Sequence, residues 1–288
     1  FPGLVQTTAT SPVLDLTGAT GAVTVLFKEY VDTESGYYDQ RYVEVTGDAF
    51  VTLPVNSALS TSSAHKNGWR WAWVDLSGVK GKKVRLRFRF DTKDSGGNGG
   101  KGWFIDDLAI GTAPAPSYGE MVTCGDSSRF TIANANAIGW GVDKNAGTAY
   151  FSGDCSLNFS SLVGTVYNFS CPANTSKVSG TAKSATFNIK VPAVGAKTFL
   201  TFKSYVDAET GSYDKYWVTV QEIGGANVKA DFTPVKANLY KKWGDVTFDI
   251  SAFHGKNVQL VFSFDSLDCT ANAGAGIFVD DILVRADK

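Results

Sequence analysis

Apolar and polar residues alternate with a period of two along most of this chain. The clearest alternating segments are Val23–Tyr30, Arg41–Thr46, Lys83–Phe90, Phe199–Tyr205, Trp217–Glu222 and Asn257–Phe264. Successive side chains of a β-strand point to opposite faces of its sheet, so this pattern predicts half-buried strands. No window shows the 3.6-residue period of an amphipathic helix. The pattern therefore predicts an all-β protein.

The alternating segments occur in two copies, here called copy one and copy two. The repeated stretches are FKEYVDTESGYYDQRYVEV at 27–45 with FKSYVDAETGSYDKYWVTV at 202–220, DLSGVKGKKVRLRFRFD at 75–91 with DISAFHGKNVQLVFSFD at 249–265, and GWFIDDLAIG at 102–111 with GIFVDDILVR at 276–285. Self-similarity at a fixed spacing is the signature of a repeated structural unit. The chain is therefore predicted to contain two domains with one fold.

A short proline-rich stretch, Thr112-Ala-Pro-Ala-Pro116, separates the copies and is typical of a semi-rigid spacer. It divides the chain into a first domain at 1–112 and a second at 117–288. Loops such as SGGNGGKG and ANAGAG are rich in glycine, but no strand–loop–helix pattern surrounds them. They are therefore not predicted to bind phosphate.

The two domains are unequal in length. VQTTATSPVLDL at 5–16 resembles VSGTAKSATFNI at 178–189, so everything in the second domain before Val178 lacks a counterpart in the first. That part includes 137–159, whose pattern is typical of the opening strands of a sandwich. We therefore expect copy one to begin in mid-domain. The chain starts at Phe1 and its only methionine is Met121, so we also expect the sequence to be part of a longer product.

A sandwich without its opening strands exposes a sheet edge and part of its core. Four explanations are open. Copy one evolved as a smaller domain; the chain is truncated; the missing strands are cleaved but remain bound; or another chain or an upstream segment supplies them by strand addition.

Composition narrows the function classes without naming one. The 288 residues are 43% hydrophobic, which is enough for two cores, and their formal net charge is −1. A nearly neutral chain has no general attraction to nucleic acid or to an anionic membrane. No apolar run approaches the ~18 residues of a membrane span. We therefore expect neither a nucleic-acid partner nor a membrane span.

The four cysteines lie in the second half of the chain, at Cys124, Cys155, Cys171 and Cys269. None has the C-x-x-C spacing of a zinc site. We expect two disulfides in an exported protein, and we favour Cys155–Cys171 with Cys124–Cys269 among the three possible pairings. The alternative is four buried thiols in a cytosolic protein.

Both copies present the same motifs in the same order. F-K-x-Y-x-D precedes Y-D-x-x-x-V-x-V, then D-[LI]-S with G-K-x-V-x-L-x-F-x-F-D, and finally F-[IV]-D-D. This order resembles the MAM-like jelly-roll modules of secreted bacterial proteins. Such modules occur beside immune-inhibitor-A-type metallopeptidases and as cleaved adhesin domains of gingipain-type proteases. The resemblance covers most of 5–111 and 137–288. It implies two tandem antiparallel jelly-roll β-sandwiches, frequent calcium binding, no catalysis, and a role in adhesion.

Carboxylates recur at equivalent places in the two copies. They are Asp32, Glu34, Asp39, Asp106 and Asp107 in copy one, and Asp207, Glu209, Asp214, Asp280 and Asp281 in copy two. Clustered carboxylates repel one another unless they are solvated or neutralised, and oxygen ligands suit Ca²⁺. With the resemblance, this predicts a structural calcium ion in each copy, holding the D-x-E-x-G loop to the last strand. The alternative is a set of solvated turn carboxylates.

We do not expect catalysis. The chain has two histidines, His65 and His254, and neither belongs to an H-E-x-x-H motif or a suggested Ser/His/Asp grouping. A pair of carboxylates can perform acid–base chemistry. Here, however, every such pair belongs to the repeated scaffold.

One surface differs between the copies. WRWAWVDLS at 69–77 aligns with WGDVTFDIS at 243–251. Alternation turns Ala72, Val74 and Leu76 inward, so Trp71 and Trp73 point outward. Copy two has Asp245 and Thr247 at those outward positions. The two tryptophans are therefore specific to copy one.

The next motif adds three outward arginines. Arg85, Arg87 and Arg89 align with Gln259, Val261 and Ser263. If both strands belong to one sheet, Trp71, Trp73 and the arginines form a platform that suits a glycan or a protein surface. Two alternatives are open, a seam between domains and simple surface packing.

The sequence thus favours a secreted or cell-surface protein of calcium-stabilised jelly rolls that binds a glycan or a protein surface. Two other hypotheses remain. The chain is a structural subunit whose copy one is completed by another chain, or it is the accessory region of a secreted metallopeptidase.

Overall fold

The computed structural model describes residues 3–34, 38–46, 50–53, 69–112, 116–120, 130–144, 155–163, 166–192, 194–209, 213–225, 227–231 and 238–286. Regular structure in these ranges is β-strand with short 3-10 turns such as Ser77–Val79 and Ser251–Phe253, and no α-helix occurs within them. The prediction of an all-β fold is confirmed. The chain divides into two compact units whose main segments are Phe1–Pro116 and Ser117–Pro192 with Lys197–Arg285.

Copy one is an antiparallel sandwich of the jelly-roll class. Its strands are β1 (Gln6–Thr10), β2 (Leu14–Asp15), β3 (Thr24–Asp32), β4 (Gln40–Thr46), β5 (Phe50–Leu53), β6 (Trp69–Asp75), β7 (Lys83–Val84), β8 (Leu86–Asp91) and β9 (Gly102–Gly111). One sheet has the order β1-β8-β4-β5 and the other the order β6-β3-β9, while β2 pairs with β7.

Copy two repeats this plan with additional strands. They are β10 (Tyr118–Glu120), β11 (Phe130–Asn134), β12 (Gly139–Lys144), β13 (Cys155–Val163), β14 (Val166–Asn168), β15 (Ser179–Ser184), β16 (Phe187–Asn188), β17 (Thr198–Asp207), β18 (Lys215–Glu222), β19 (Asn227–Asp231), β20 (Gly244–Asp249), β21 (Asn257–Asp265) and β22 (Gly276–Ala286). One sheet has the order β11-β15-β21-β18-β19. The other has the order β12-β13-β22-β17-β20, with β10 beside β22 and β14 beside β13.

Alternate side chains of the two sheets form the core of each copy. Ala72, Val74 and Leu76 are buried in copy one, as the alternation predicts. Val246 and Ile250, which align with Ala72 and Leu76, are buried in copy two. The period-two pattern arises because each strand gives one face to the core and the other to the surface.

The same hydrogen-bonded corner follows the penultimate strand of both copies. The Thr92 backbone N donates to the Val5 carbonyl O at 3.0 Å, and Val5 N donates to the Thr92 hydroxyl at 2.9 Å. Ser266 and Val178 make the corresponding two bonds, each at 3.0 Å. The repeat therefore extends from sequence to backbone hydrogen bonding.

The predicted opening strands are present in copy two. Segment 137–159 contains β12 and the start of β13, and β13 pairs antiparallel with β22 in the register Leu157↔Val279 and Phe159↔Ile277. β11 pairs with β15 on the opposite sheet. Within the described part of copy one, no strand pairs with the corresponding free edges of β9 and β1.

The predicted disulfide pairing is wrong. Cys171 is bonded to Cys269, with 5.6 Å between their Cα atoms, so neither Cys155–Cys171 nor Cys124–Cys269 forms. Cys124 and the side chain of Cys155 lie outside the described residues. The prediction had Cys155 and Cys171 close a strand–loop–strand excursion. Instead, Cys171 bonds to a residue 98 positions away, because the segment after β14 lies beside the loop before β22.

Candidate functional site

Trp71 and Trp73 do not share a sheet with the arginines. The tryptophans lie on β6 in the β6-β3-β9 sheet, whereas Arg87 and Arg89 lie on β8 in the β1-β8-β4-β5 sheet. Because the inward residues of both strands face one core, their outward residues lie on opposite faces of the sandwich. The predicted Trp–Arg platform therefore does not exist. The error was to place β6 and β8 together, because strand pairing is not readable from local periodicity.

The outward arginines of copy one form an ion network with their own sheet. Arg87 Nε donates to Glu44 at 2.6 Å, and Arg89 Nε donates to the other oxygen of Glu44 at 3.0 Å. Arg89 also pairs with Asp91 at 3.2 Å, and its guanidinium lies 3.7 Å from the centre of the Tyr42 ring. Arg89 is therefore a packed side chain that covers the outer face of this sheet.

Two other observations support that structural role. Burial alone would raise the pKa of Glu44, but the hydrogen bonds from Arg87 and Arg89 lower it below its ordinary range. Arg85 lies just before β8, is exposed, and donates to the Ser11 carbonyl at 3.3 Å. The arginine face thus satisfies its charges internally.

The equivalent face of copy two holds a groove instead. The groove has a volume of about 430 Å³ and lies across β11, β15, β21 and β18. Its floor and walls include Asn134, Thr181, Trp217, Ser263 and Asp265. The pairing register places Thr181 opposite Ser263, and Ser263 opposite Trp217, so three neighbouring strands contribute to one row.

Two residue exchanges and one added strand distinguish this face of copy two from that of copy one. The added strand is β11, which with the residue that follows it contributes Ala133, Asn134 and Ala135 to the groove lining and has no counterpart among the described strands of copy one. Ser263 occupies the position of Arg89, and Trp217 occupies the position of Tyr42, in the aligned strands. In copy one the Arg89 side chain lies over the ring of Tyr42. In copy two the short Ser263 side chain, only 3% exposed, forms part of the floor beside Trp217. The aligned sequences show this exchange, but the prediction assigned ligand binding to Arg89 and not to the face with Ser263.

The predicted outward direction of Trp71 and Trp73 agrees with the register of their strand. Trp71 lies opposite Lys28 and Trp73 lies opposite Leu26, both on β3, and each tryptophan is half-buried. The ammonium of Lys28 lies 5.0 Å from the centre of the Trp71 ring and 3.2 Å from Asp107. These side chains form a surface of copy one that is rich in tryptophan, unlike the surface that holds the arginine network.

The structure brings together part of each predicted carboxylate group. Asp39 accepts a hydrogen bond from the Glu34 backbone N at 2.7 Å, and Asp214 accepts the same bond from Glu209 N at 2.6 Å. The Glu34 carboxylate lies against Gly97, where a Cβ would be 2.3 Å from it. Each D-x-E-x-G loop therefore folds onto the glycine-rich loop that precedes the last strand.

An asparagine in that glycine-rich loop belongs to the same place and was missed from the sequence. Asn272 is 4% exposed, its amide N donates to the Asp268 carbonyl at 2.8 Å, and its buried carbonyl oxygen accepts no hydrogen bond from the described residues. Asn98 holds the equivalent position in copy one and donates to the Asp94 carbonyl. The recurrence of Asn in both loops was the available signal.

Several carboxylate oxygens at these places also receive no hydrogen bond from the described residues. They include Oε2 of Glu34, Oδ1 of Asp39 and Oε2 of Glu209, all buried. Burial, with repulsion from Glu209, Asp268 and Asp265, raises the pKa of Asp214 to about 7. Buried acceptors without donors are costly, and a hard cation offsets that cost. The oxygen-only donor set fits Ca²⁺.

The other predicted metal residues have different surroundings. Asp32 accepts the backbone N–H of Lys101, and Asp207 accepts that of Ala275, so both fasten the glycine-rich loop. Asp106 of β9 lies opposite Lys28 of β3 in the strand register. Lys28 is four residues from Asp32 along β3, a separation of about 13 Å.

In copy two, the carboxylate of Asp280 is fully buried and accepts a hydrogen bond from the Asp281 backbone N. The backbones of Asp107 and Asp281 share a positive φ, of 50° and 52°. The Asp-Asp pairs are therefore part of a backbone irregularity that the last strands of both copies share.

Other chemistry expected or excluded from sequence can be placed briefly. Within the described ranges, no three His, Cys, Asp or Glu side chains are grouped as a metal site, so amide and carbonyl oxygens would have to contribute. His254 Nε2 lies 2.8 Å from the Thr198 hydroxyl, and His65 is outside the described residues. The part of the chain that the structure describes contains no helix able to span a membrane.

No family model matches this chain, and no curated protein does either. Among solved structures, TmCBM61 in complex with β-1,4-galactotriose is 15% identical over 56% of this chain and 90% of that chain, with a TM-score of 0.38. The K1 cleaved adhesin domain of Lys-gingipain from Porphyromonas gingivalis W83 is 11% identical over 59% of this chain and 98% of that chain, with a TM-score of 0.38. At these values the likeness carries no argument about ligand, and membership of the MAM-like family stays a prediction.

Proposed function

We propose that this chain is a non-catalytic carbohydrate-binding protein whose sugar site is the groove of copy two. The observation that carries the proposal is the exchange of Arg89 for Ser263, which leaves the Trp217 side of the sheet bordering a groove of about 430 Å³. That volume lies in the range of small-ligand sites. Copy one, with the same fold, fills the same place with its own arginine.

The lining suits a sugar for physical reasons. A tryptophan offers a flat apolar face on which the C–H face of a pyranose ring can stack. Ser179 and Thr181 contribute hydroxyl groups to the groove lining, whereas the Asn134 amide is bonded to the Trp140 backbone. A mainly apolar surface with a few placed hydrogen-bonding groups is typical of specific small-ligand sites.

The charge near the groove favours a neutral sugar. Asp265 lines the groove and pairs with the ammonium of Lys177 at 2.7 Å, so this carboxylate is balanced within the protein. A sugar acid would bring a second anion close to Asp265. We therefore expect neutral hexose or pentose chains to bind better than uronic-acid chains.

We also propose a structural calcium ion in each copy. Glu34, Asp39 and Asn98 would hold it in copy one, and Glu209, Asp214 and Asn272 in copy two. The ion would supply positive charge to the buried oxygen atoms of Glu34, Asp39, Glu209 and Asn272 that lack hydrogen-bond donors from the described residues. Its role would be to hold the D-x-E-x-G loop against the glycine-rich loop.

The setting that we propose is extracellular. The Cys171–Cys269 disulfide supports this, because disulfides persist mainly in oxidising compartments. An accessory role beside a peptidase remains a proposal without a site in the described residues.

The direct test is a glycan array followed by calorimetric titration with the strongest neutral oligosaccharide. Trp217→Ala should weaken binding about tenfold or more, since it removes the stacking face. Tyr42→Ala is the matched control, because it changes the equivalent ring of copy one, where Arg89 fills the space. Unchanged affinity in the Trp217 variant, or absence of any glycan ligand, would contradict the proposal.

A further inference from the structure

The last strands of the two copies, β9 and β22, share a sequence but differ in how they are covered. Phe278 and Ile282 of β22 are 1% and 0% exposed, whereas the aligned Phe104 and Leu108 of β9 are 47% and 46% exposed. Every residue of β22 except Arg285 is buried, and most of β9 is not. The last strand is therefore buried in copy two and largely exposed in copy one, although the two sequences are similar.

Copy two shows what covers this strand. β13 pairs antiparallel with the outer edge of β22, in the register Asn158↔Phe278. β14 pairs with β13, and its Tyr167 ring packs edge-on against Phe278 with 4.9 Å between ring centres. In copy one Phe104 has a ring contact with Tyr30 at 5.8 Å, and no described strand lies along its free edge.

The inward residues of β9 give the same result. Ile277 and Val279 of β22 are fully buried beneath the added strands, whereas the aligned Trp103 and Ile105 are half-buried. The Trp103 indole N–H donates to the buried carboxylate of Glu29 at 2.7 Å. Trp103 therefore covers a part of the copy-one core that β13 covers in copy two, where the aligned residue is Ile277. The edge of β9 itself has no partner strand among the described residues.

We propose that the free edge of β9, with the adjoining face of Phe104 and Tyr30, accepts one β-strand donated by another polypeptide. The donor lies antiparallel to β9, in the place that β13 takes on β22. An open edge with exposed apolar side chains is a template for strand addition. This site is separate from the sugar groove and does not depend on it.

Charge selects a different polypeptide over a second copy of this chain. Two β9 edges paired antiparallel about the middle of the strand would place Asp106 of one opposite Asp107 of the other, and like charges directly opposite destabilise a strand pair. In copy two, extending the register of β13 by one residue beyond Leu157↔Val279 would set Ser156 opposite the buried Asp280. The donor is therefore expected to carry a hydroxyl or basic residue opposite Asp106.

Size adds a second rule for the donor. In the same register, the donor residue that corresponds to Phe159 lies opposite Trp103 instead of Ile277. Because Trp103 is larger, the donor position should hold a smaller side chain than phenylalanine. The residue that corresponds to Leu157 lies opposite Ile105 and should remain aliphatic. The expected donor is thus an alternating strand with a small residue, an aliphatic residue and a polar residue at fixed positions.

The probe is a fluorescent peptide with the sequence of residues 155–163, carrying Cys155→Ser and Phe159→Ala. We expect it to bind the full chain by fluorescence anisotropy and to slow amide hydrogen exchange in 102–111. Phe104→Lys in the chain, or Leu157→Lys in the peptide, should weaken binding about tenfold or more. Val13→Lys is the matched control in the chain, because Val13 is an exposed apolar residue of copy one outside β9.

Each outcome decides the proposal. Binding that requires Phe104 but not Val13, with slowed exchange in β9, supports it. No binding, or equal binding by the Phe104 variant, overturns it. If the chain alone forms dimers by light scattering and Phe104→Lys makes it monomeric, the occupant is a second copy and the proposed heterologous donor is wrong. Trp217→Ala should leave peptide binding unchanged, so failure here is distinguishable from failure of the sugar site.

Discussion

The guanidinium of Arg89 lies 3.7 Å from the ring centre of Tyr42 in copy one, and Ser263 beside Trp217 replaces this pair in copy two. Both pairs lie on the outward face of the same two strands, β8 with β4 and β21 with β18. Copy one therefore serves as the comparison for the groove, because an arginine side chain covers the aromatic ring on its equivalent strands.

This relationship predicts the effect of an exchange between the copies. Ser263→Arg places in copy two the residue that closes the face in copy one, so sugar binding should fall about tenfold or more. Stability should change little, because the new guanidinium can stack on Trp217. Titration calorimetry and a thermal melt measure the two effects. Ser263→Ala, which keeps the floor short, should retain binding; equal loss in both variants would show that the hydroxyl, and not the space, matters.

Calcium should stabilise both copies. Excess EDTA should lower the thermal midpoint and Ca²⁺ should restore it, with about 2.7 kcal/mol gained at a hundredfold excess over Kd. Asp39→Asn and Asp214→Asn should each reduce the response of their own copy. Asp106→Asn is the control, because the strand register separates it from Asp32 by four residues. A thermal midpoint that EDTA leaves unchanged would rule out the proposed sites.

The buried ion pair of copy one should be costly to break. Arg41 pairs with Glu29 at 2.9 Å, and copy two has Tyr216 and Ser204 in their places, hydrogen-bonded at 3.4 Å. Arg41→Ala leaves the Glu29 carboxylate buried, so we expect a loss of about 3 kcal/mol by chemical denaturation.

Replacing both residues by those of copy two tests the cause of that loss. Glu29→Ser with Arg41→Tyr removes the buried charge and should cost less than Arg41→Ala alone. A larger loss of unfolding free energy in the double variant would show that packing of Arg41 against Trp103 matters more than the buried, unpaired charge of Glu29.

Acid should weaken copy one through Glu44. Its pKa in the folded state lies below the ordinary value of 4.5, because Arg87 and Arg89 donate to it. A carboxylate whose folded pKa is lowered stabilises the fold above its unfolded pKa, and this contribution is lost as pH falls through the folded value.

Glu44→Gln should therefore lower the midpoint near neutral pH and flatten its decline below about pH 4.5. Thermal melts across this range measure both effects. The same slope in the variant and the wild type would assign the acid sensitivity to other carboxylates.

Local features of the fold were predictable from the sequence. The alternation that turned Ala72 and Val74 inward is a property of single strands, and both are buried. Strand partners are set by distant residues, so the assignment of Trp71 and Arg89 to one sheet failed. The Cys171–Cys269 bond was missed for the same reason, since it depends on how remote segments meet.

The sites were only partly predictable. Glu34 and Asp39 were selected because they recur in copy two, and the structure places them together. Asn98 and Asn272 recur as well, but an uncharged amide is not marked as a ligand by recurring carboxylates. Trp217 has an aromatic counterpart, Tyr42, in copy one, so the aligned sequences alone do not single it out. The structure shows that Arg89 lies over Tyr42 in copy one.

The disulfide has a consequence for a chain that is cut by a protease. Cys171 and Cys269 enclose most of copy two, including β15 and β21. A protease that cuts the backbone once between β15 and β18 leaves two fragments that are still covalently joined, each holding part of the groove lining. A nicked molecule can therefore keep its groove assembled, and a gel run without reductant would not reveal the cut.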